Sequence, residues 1–148
     1  MPYLEETVRG ARVHRRALNP RQLELVTAAI AERIDESISV SMLSSVVGLS
    51  RSYFSHAFRR SVGLTPHAHV VRLRIERAMT LMVHTEASLS EVALAVGFAD
   101  QSHFSRAFRR LTGVTPAHWR RAHNDASVTP RDRVSSQPPD WQSSRQAI

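Results

Sequence analysis

Cysteine and lysine are both missing from this chain of 148 residues. The lack of cysteine excludes a disulfide framework, thiolate metal sites and a cysteine nucleophile. The lack of lysine makes all 20 cationic side chains arginine. A G+C-rich genome accounts for that choice on its own, yet arginine's planar fork also matches phosphates and guanine edges. Glycine is sparse, five in all. Turns account for Gly48, Gly63, Gly97 and Gly113, and no phosphate-cradling loop or G-x-S-x-G elbow is present. No apolar run approaches the ~18 residues that span a bilayer, and the N-terminal stretch has no secretory signal core. Eight histidines form no H-E-x-x-H, and His67 and His69, two apart, fall on different sides of a helix. No metal site, cofactor or enzyme activity is therefore expected.

What is present is charge in blocks. Residues 19–49 carry Arg21 and Arg33 against Glu24, Glu32, Asp35 and Glu36. Residues 50–77 carry six arginines against Glu76 alone. Residues 78–100 hold only Glu86, Glu91 and Asp100, and residues 101–121 hold five arginines and no acid. The net charge of +7 is thus concentrated in two stretches, the footprint of two phosphate-facing surfaces.

Those stretches contain an internal repeat. FSHAFRRSVGLTP from Phe54 and FSRAFRRLTGVTP from Phe104 share nine of thirteen letters at an offset of 50. Val40–Gly48 aligns with Leu89–Gly97 at an offset of 49, so one residue has been gained in the second turn. Each copy reads as a capped short helix, a glycine turn, a second capped helix with paired phenylalanines, a basic pair, glycine and Thr-Pro. Two short helices joined by a tight glycine turn make a helix-turn-helix, whose second helix fits a major groove about 12 Å wide.

Cap chemistry predicts seven helices and an all-α fold. Asn19-Pro20 opens a helix over 20–34. Ser39 caps a second that ends near Gly48, and Ser50 caps a third that runs to Val62 before Gly63. Thr65-Pro66 opens a long helix, 66–83, with Val70, Leu73, Arg74, Ala78, Leu81 and Met82 along one stripe. Ser88 and Glu91 form a capping box for the helix that ends at Ala95. Asp100 caps the sixth, and a seventh follows Thr115-Pro116 to about Arg121. The expected organisation is a flexible arm at 1–18, a first helix-turn-helix subdomain at 19–64, a linker helix at 65–84, a second subdomain at 85–121, and a disordered tail at 122–148. Trp141, in that tail, is read as an unused side chain.

Helical periodicity assigns the faces. Phe54 with Phe58, and Phe104 with Phe108, turn inward. Ser52, Ser55, His56 and Arg59 lie opposite in the first copy; Gln101, Ser102, His103, Ser105 and Arg106 do so in the second. Arg106 is the one long cationic reader in the middle of a recognition helix, and guanine is its natural partner. The pairs Arg59-Arg60 and Arg109-Arg110 fall near helix C-termini. They serve there as phosphate contacts, or else as a solvated face that offsets the helix dipole.

The second copy, SLSEVALAVGFADQSHFSRAFRRLTGVTPAHWR, closely resembles the signature of the AraC/XylS family of bacterial transcription regulators, and the resemblance covers residues 19–121. It implies homeodomain-like three-helix units on a long linker helix, with both recognition helices entering successive major-groove segments roughly 34 Å apart on one DNA duplex. It also implies base contacts at Ser52, Ser55, His56, Gln101, Ser102, His103 and Arg106; phosphate contacts are expected from charge and position at Arg51, Arg59, Arg60, Ser105, Arg109 and Arg110. The implied protein is a cytoplasmic activator at the bacterial nucleoid, monomeric on DNA, that contacts RNA polymerase and needs no membrane. The chain departs from the family pattern at Ser44, where a small alanine is usual, and at His69, where an aromatic is usual. It also departs in the small first-unit readers Ser52 and Ser55.

Two other readings stand beside this one. The chain is the DNA-binding part of a longer ligand-responsive regulator, since 18 residues before the first helix are too few for a sensor domain; Met1 and the tail favour a compact regulator instead. Alternatively it is a helical module whose main partner is a protein such as RNA polymerase.

Overall fold

Asn19 starts the first helix as the sequence predicts, with one addition. Its side chain accepts from the Gln22 backbone N–H at 2.8 Å while its own N–H donates to Gln22 Oε1 at 3.0 Å, closing a capping box. In the computed structural model, which describes residues 16–125, seven helices follow one another with no strand among the described residues. They are α1 (Pro20–Glu32), α2 (Val40–Val46), α3 (Arg51–Val62), α4 (Pro66–His84), α5 (Leu89–Ala95), α6 (Gln101–Thr112) and α7 (Pro116–Asn124). The fold is all-α.

The N-terminal caps are those expected from local chemistry. Ser39, Ser50, Thr65, Ser88, Asp100 and Thr115 each accept a backbone N–H three residues ahead. Each bond satisfies one of the donors a helix start leaves without an intrahelical partner. Gly63 and Gly113 end α3 and α6 at φ 82°, the left-handed conformation that releases the chain from a helix.

The chain divides into two compact units, Met1–Leu73 and Arg74–Ile148. The division falls inside α4 rather than at its ends: Pro66–Leu73 belongs to the first unit and Arg74–His84 to the second.

In the first unit, Val26, Ile30, Leu43, Phe54, Phe58 and Val70 bury themselves in one core. Leu18 joins them at 7% exposure, and its N–H donates to Ser61 Oγ at 2.8 Å. That corrects the boundary of the expected arm, because an apolar residue with its backbone donor paired is part of the unit. Residues 1–15 lie outside the described residues. α1 also stops at Glu32, two residues early. Ile34 still reaches the core, 4% exposed, from the turn that follows.

In the second unit, Ile75, Ala78, Met82, Val92, Phe104 and Phe108 are fully buried, and α7 runs past the expected end at Arg121 to Asn124. One contact within the helix and one tertiary bond accompany the extra turn. The His123 ring stacks on Trp119 at 3.8 Å, and Asn124 Nδ2 donates to the Met82 carbonyl at 3.4 Å. The tail expected from 122 therefore begins no earlier than Asp125. Residues 126–148, Trp141 included, lie outside the described residues.

Candidate nucleic-acid interface

Each unit builds its exposed helix the same way. α2 packs on α3 and α5 on α6, and the turn between them tightens at a glycine: Gly48 at φ 66° and Gly97 at φ 91°. The first turn, Val47–Ser50, is one residue shorter than the second, Val96–Asp100, so the residue gained in the repeat falls in the turn. Phe98 occupies the longer turn. It is 3% exposed, with its ring 5.5 Å from Phe104.

The phenylalanine pairs anchor α3 and α6. Phe54 and Phe58 sit 5.6 Å apart, Phe104 and Phe108 5.7 Å apart, and all four are buried. Burying one face of each helix leaves the other outward. Arg51, Ser52, His56, Arg59 and Arg60 are exposed along α3; Gln101, Ser102, His103, Arg106, Arg109 and Arg110 are exposed along α6. Ser55 and Ser105 are only half-buried edge positions. At 3.6 residues per turn, each lies only about 60° around the helix from the second phenylalanine of its pair.

These side chains have counterparts at the repeat offset, Arg51 to Gln101 and Arg60 to Arg110 among them. Ser52 answers to Ser102, Ser55 to Ser105, His56 to Arg106 and Arg59 to Arg109. His56, not a small residue, thus stands at the first unit's equivalent of Arg106. Arg51, Arg59, Arg106, Arg109 and Arg110 have no ion-pair or side-chain hydrogen-bond partner among the described residues, so these guanidinium forks remain available to a ligand. His103 is more constrained. Its ring stands edge-on to Phe98 at 5.1 Å, which holds it toward the turn. An open cleft lined by Ser39, Ser41, Arg51, Ser52 and Ser55 separates the starts of α2 and α3. Its hydroxyls and one guanidinium suit phosphate oxygens.

The two departures in packing are accommodated. Ser44 is 3% exposed and donates through Oγ to the Ser41 carbonyl at 3.0 Å, so its hydroxyl is satisfied in the helix. His69, 8% exposed, meets the Phe58 ring edge-on at 5.4 Å. Trp119 meets Phe108 in the same manner at 6.0 Å.

Sequence reasoning missed Arg120. Its Nη1 donates to the Ala87 carbonyl at 2.7 Å across 33 residues of chain, pinning α7 to the residue before the α5 cap. The Trp-Arg pair in the repeat signature was its only visible trace. Among the described residues no group of three or more His, Asp or Glu is placed to hold a metal ion. No helix there is long and apolar enough to cross a membrane.

Two helix-turn-helix units, each turning a polar, arginine-bearing helix face outward, define a protein of the DNA-binding class. A family model described as a helix-turn-helix domain matches residues 43–122. The chain belongs to the AraC-type family of DNA-binding transcription regulators, a family of regulators and not of enzymes. It is 41% identical over 77 residues to a probable transcriptional regulator, LumQ, of Photobacterium leiognathi, covering 52% of this chain and 31% of that protein. It is 32% identical over 82 residues to the transcriptional activator RhaS of an Enterobacter species, covering 55% and 30%. The chain therefore spans about a third of the length of these relatives.

Among solved structures, an AraC-type regulator from Chromobacterium violaceum matches with TM-score 0.66 and 28% identity, covering 72% of this chain and 95% of that one. The DNA-binding domain of AdpA in complex with a target DNA matches with TM-score 0.64 and 30% identity, covering 68% and 90%.

Proposed function

We propose that this chain activates transcription by reading two major-groove segments of one duplex, with α3 in the first and α6 in the second. The observation that carries this reading is the repeated outward face: Ser52, His56 and Arg59 recur as Ser102, Arg106 and Arg109 on helices buried by the same phenylalanine pair. Ser52, Ser55, His56, Gln101, Ser102, His103 and Arg106 are the base-edge contacts, and Arg106 takes guanine O6 and N7 through both arms of its fork. Arg51, Arg59, Arg60, Ser105, Arg109 and Arg110 bind phosphates and set the register. The protein works as a monomer in the bacterial cytoplasm, at the nucleoid.

Activation is supported by the activator names among its relatives, and it requires contact with RNA polymerase. Exposed apolar side chains and an acidic stretch of the second unit are the candidates for that contact. Residues 78–100 hold acids and no cation, and Val83 and Leu94 are 44% and 59% exposed.

Selection of binders from a random duplex library, at near-physiological salt, tests the reading. Two enriched blocks about 10 base pairs apart support it. One block alone assigns readout to α6 and leaves α3 to grip the backbone. No enrichment overturns it in favour of a module whose partner is protein. Leu94→Ser then separates the two activities, because it should leave DNA binding intact while lowering transcription from the selected site.

A further inference from the structure

The repeat makes the two units comparable residue by residue, and at one place they differ in what fills the space. The loop and start of α2 in the first unit correspond to those of α5 in the second, so Ile38 answers to Ala87 and Leu43 to Val92. The start of α4 corresponds to that of α7, so Pro66 answers to Pro116 and Val70 to Arg120. In the second unit Arg120 reaches the Ala87 carbonyl with Nη1 at 2.7 Å. Its Nε and Nη2 are buried without a hydrogen-bond partner among the described residues. A cationic head held by one carbonyl, on an apolar stem, is thus part of that unit's interior.

In the first unit the side chain at this position is valine, which ends at its methyl groups. A cleft of about 220 Å³ stands there. Leu43, Pro66 and Val70, all buried, line its depth; Ile38 is half-buried, and His67 stands exposed at the rim. Among the described residues no side chain donates to the Ile38 carbonyl, the counterpart of the acceptor that Arg120 uses. The opening is smaller than the ~300–1,000 Å³ usual for drug-sized ligands, so its occupant is small.

We propose that this cleft is a receptor for a short alkyl chain ending in a guanidinium or primary ammonium group. The charged head donates to the Ile38 carbonyl as Arg120 does to that of Ala87, and the stem lies against Val70 and Leu43. The bound cation ties the loop before α2 to the start of α4. Because α2 packs on α3, it stabilises the first helix-turn-helix unit by mass action. The site gives a regulator a direct chemical input through its helical domain. It does not depend on the DNA reading, since it needs only the folded first unit.

The test is methyl NMR of the full chain without DNA, titrated with n-propylguanidine, and separately with butyrate as an anion of similar stem. Saturable shifts confined to Ile38, Val40, Leu43 and Val70, with a dissociation constant on the order of 1 mM, are the expected result. Leu89 and Val92 of the second unit should not move, and butyrate should produce no such shifts. V70R, which supplies the missing side chain, should abolish the response. Should V70R not fold, the comparison of guanidinium with carboxylate on the unaltered chain still decides. Absence of saturation by about 10 mM, shifts spread over both units, or a preference for butyrate at His67 would each overturn the proposal.

Discussion

The His69 imidazole stands edge-on to the Phe58 ring at 5.4 Å, and 50 residues later Trp119 stands likewise to Phe108 at 6.0 Å. One packing role is thus filled by a small ring in the first unit and a large one in the second. His69 also has Arg72 Nη2 3.3 Å from its Nδ1. Removing this ring from a buried site leaves a cavity and an unmatched Phe58 face, so His69→Ala should destabilise the first unit by about 1–3 kcal/mol. His69→Tyr should lose less, because it keeps the ring. Urea melts of the two variants check this; equal losses would mean that the aromatic contact does not matter.

The capping box of α5 makes a pH prediction. Glu91 accepts the Ser88 N–H at 2.7 Å, and this backbone bond, with the Ser88 hydroxyl second, holds its carboxyl below the ordinary glutamate value. A carboxylate whose pKa falls on folding contributes stability at pH above its unfolded value, about 4.3. That contribution is lost as pH drops through the lower folded value. Glu91→Gln should therefore flatten the acid limb of the stability curve by lowering its neutral plateau, while leaving stability below the folded-state pKa little changed. Denaturant melts between pH 2 and 7 read the difference. An unchanged acid limb would mean that the Ser88–Glu91 bond is not formed in solution.

Gly113 isolates backbone strain from packing. It ends α6 at φ 82°, and a methyl group added there would meet no atom within 4 Å. Gly113→Ala should then cost about 1–2 kcal/mol from the left-handed backbone alone. Gly113→Asn should cost less, since asparagine tolerates that region. Thermal melts of both variants order them, and equal losses would point to packing instead.

Cap residues and phenylalanine pairs were legible in the sequence because their chemistry is local. Ser50 needs only the Tyr53 N–H three residues on, and Phe54 with Phe58 needs only one helical turn. The buried face of α4 was not legible in the same way. Of the expected stripe, Val70 is buried in the first core and Ala78 and Met82 in the second unit, but Leu73, Arg74 and Leu81 are only half-buried, and Ile75 and Met79 are buried instead. A helix shared by two units changes its inward face along its length, and no single period expresses that. The reach of Arg120 to Ala87 was invisible for another reason: its partner lies 33 residues away, and only the folded chain brings them together. The outward faces were readable by elimination, once the phenylalanines had claimed the inward side.

Arg106 and Arg59 should separate base reading from phosphate binding. Arg106→Ala should weaken binding to the selected site by about 1–3 kcal/mol and relax preference at one base position. Arg59→Ala should weaken binding to all duplexes alike and lower the salt slope by about one contact. Competition binding against single-base variants, repeated across a salt series, distinguishes the two. Uniform weakening by Arg106→Ala would remove it from the base readers.

His56 carries the strongest consequence of the repeat, because it holds the first unit's equivalent of Arg106 on an exposed face. If position within the helix decides what a side chain reads, His56→Arg should confer a new preference for guanine at one position of the block read by α3. The block read by α6 should stay unchanged. Fork-shaped pairing to guanine O6 and N7 supplies about 1–3 kcal/mol of discrimination, enough to appear in a repeated library selection. If instead the new arginine reaches only phosphates, affinity should rise for every duplex and the salt slope should steepen by about one, with no base preference gained. That outcome would assign α3 to the backbone and leave α6 as the helix that reads sequence.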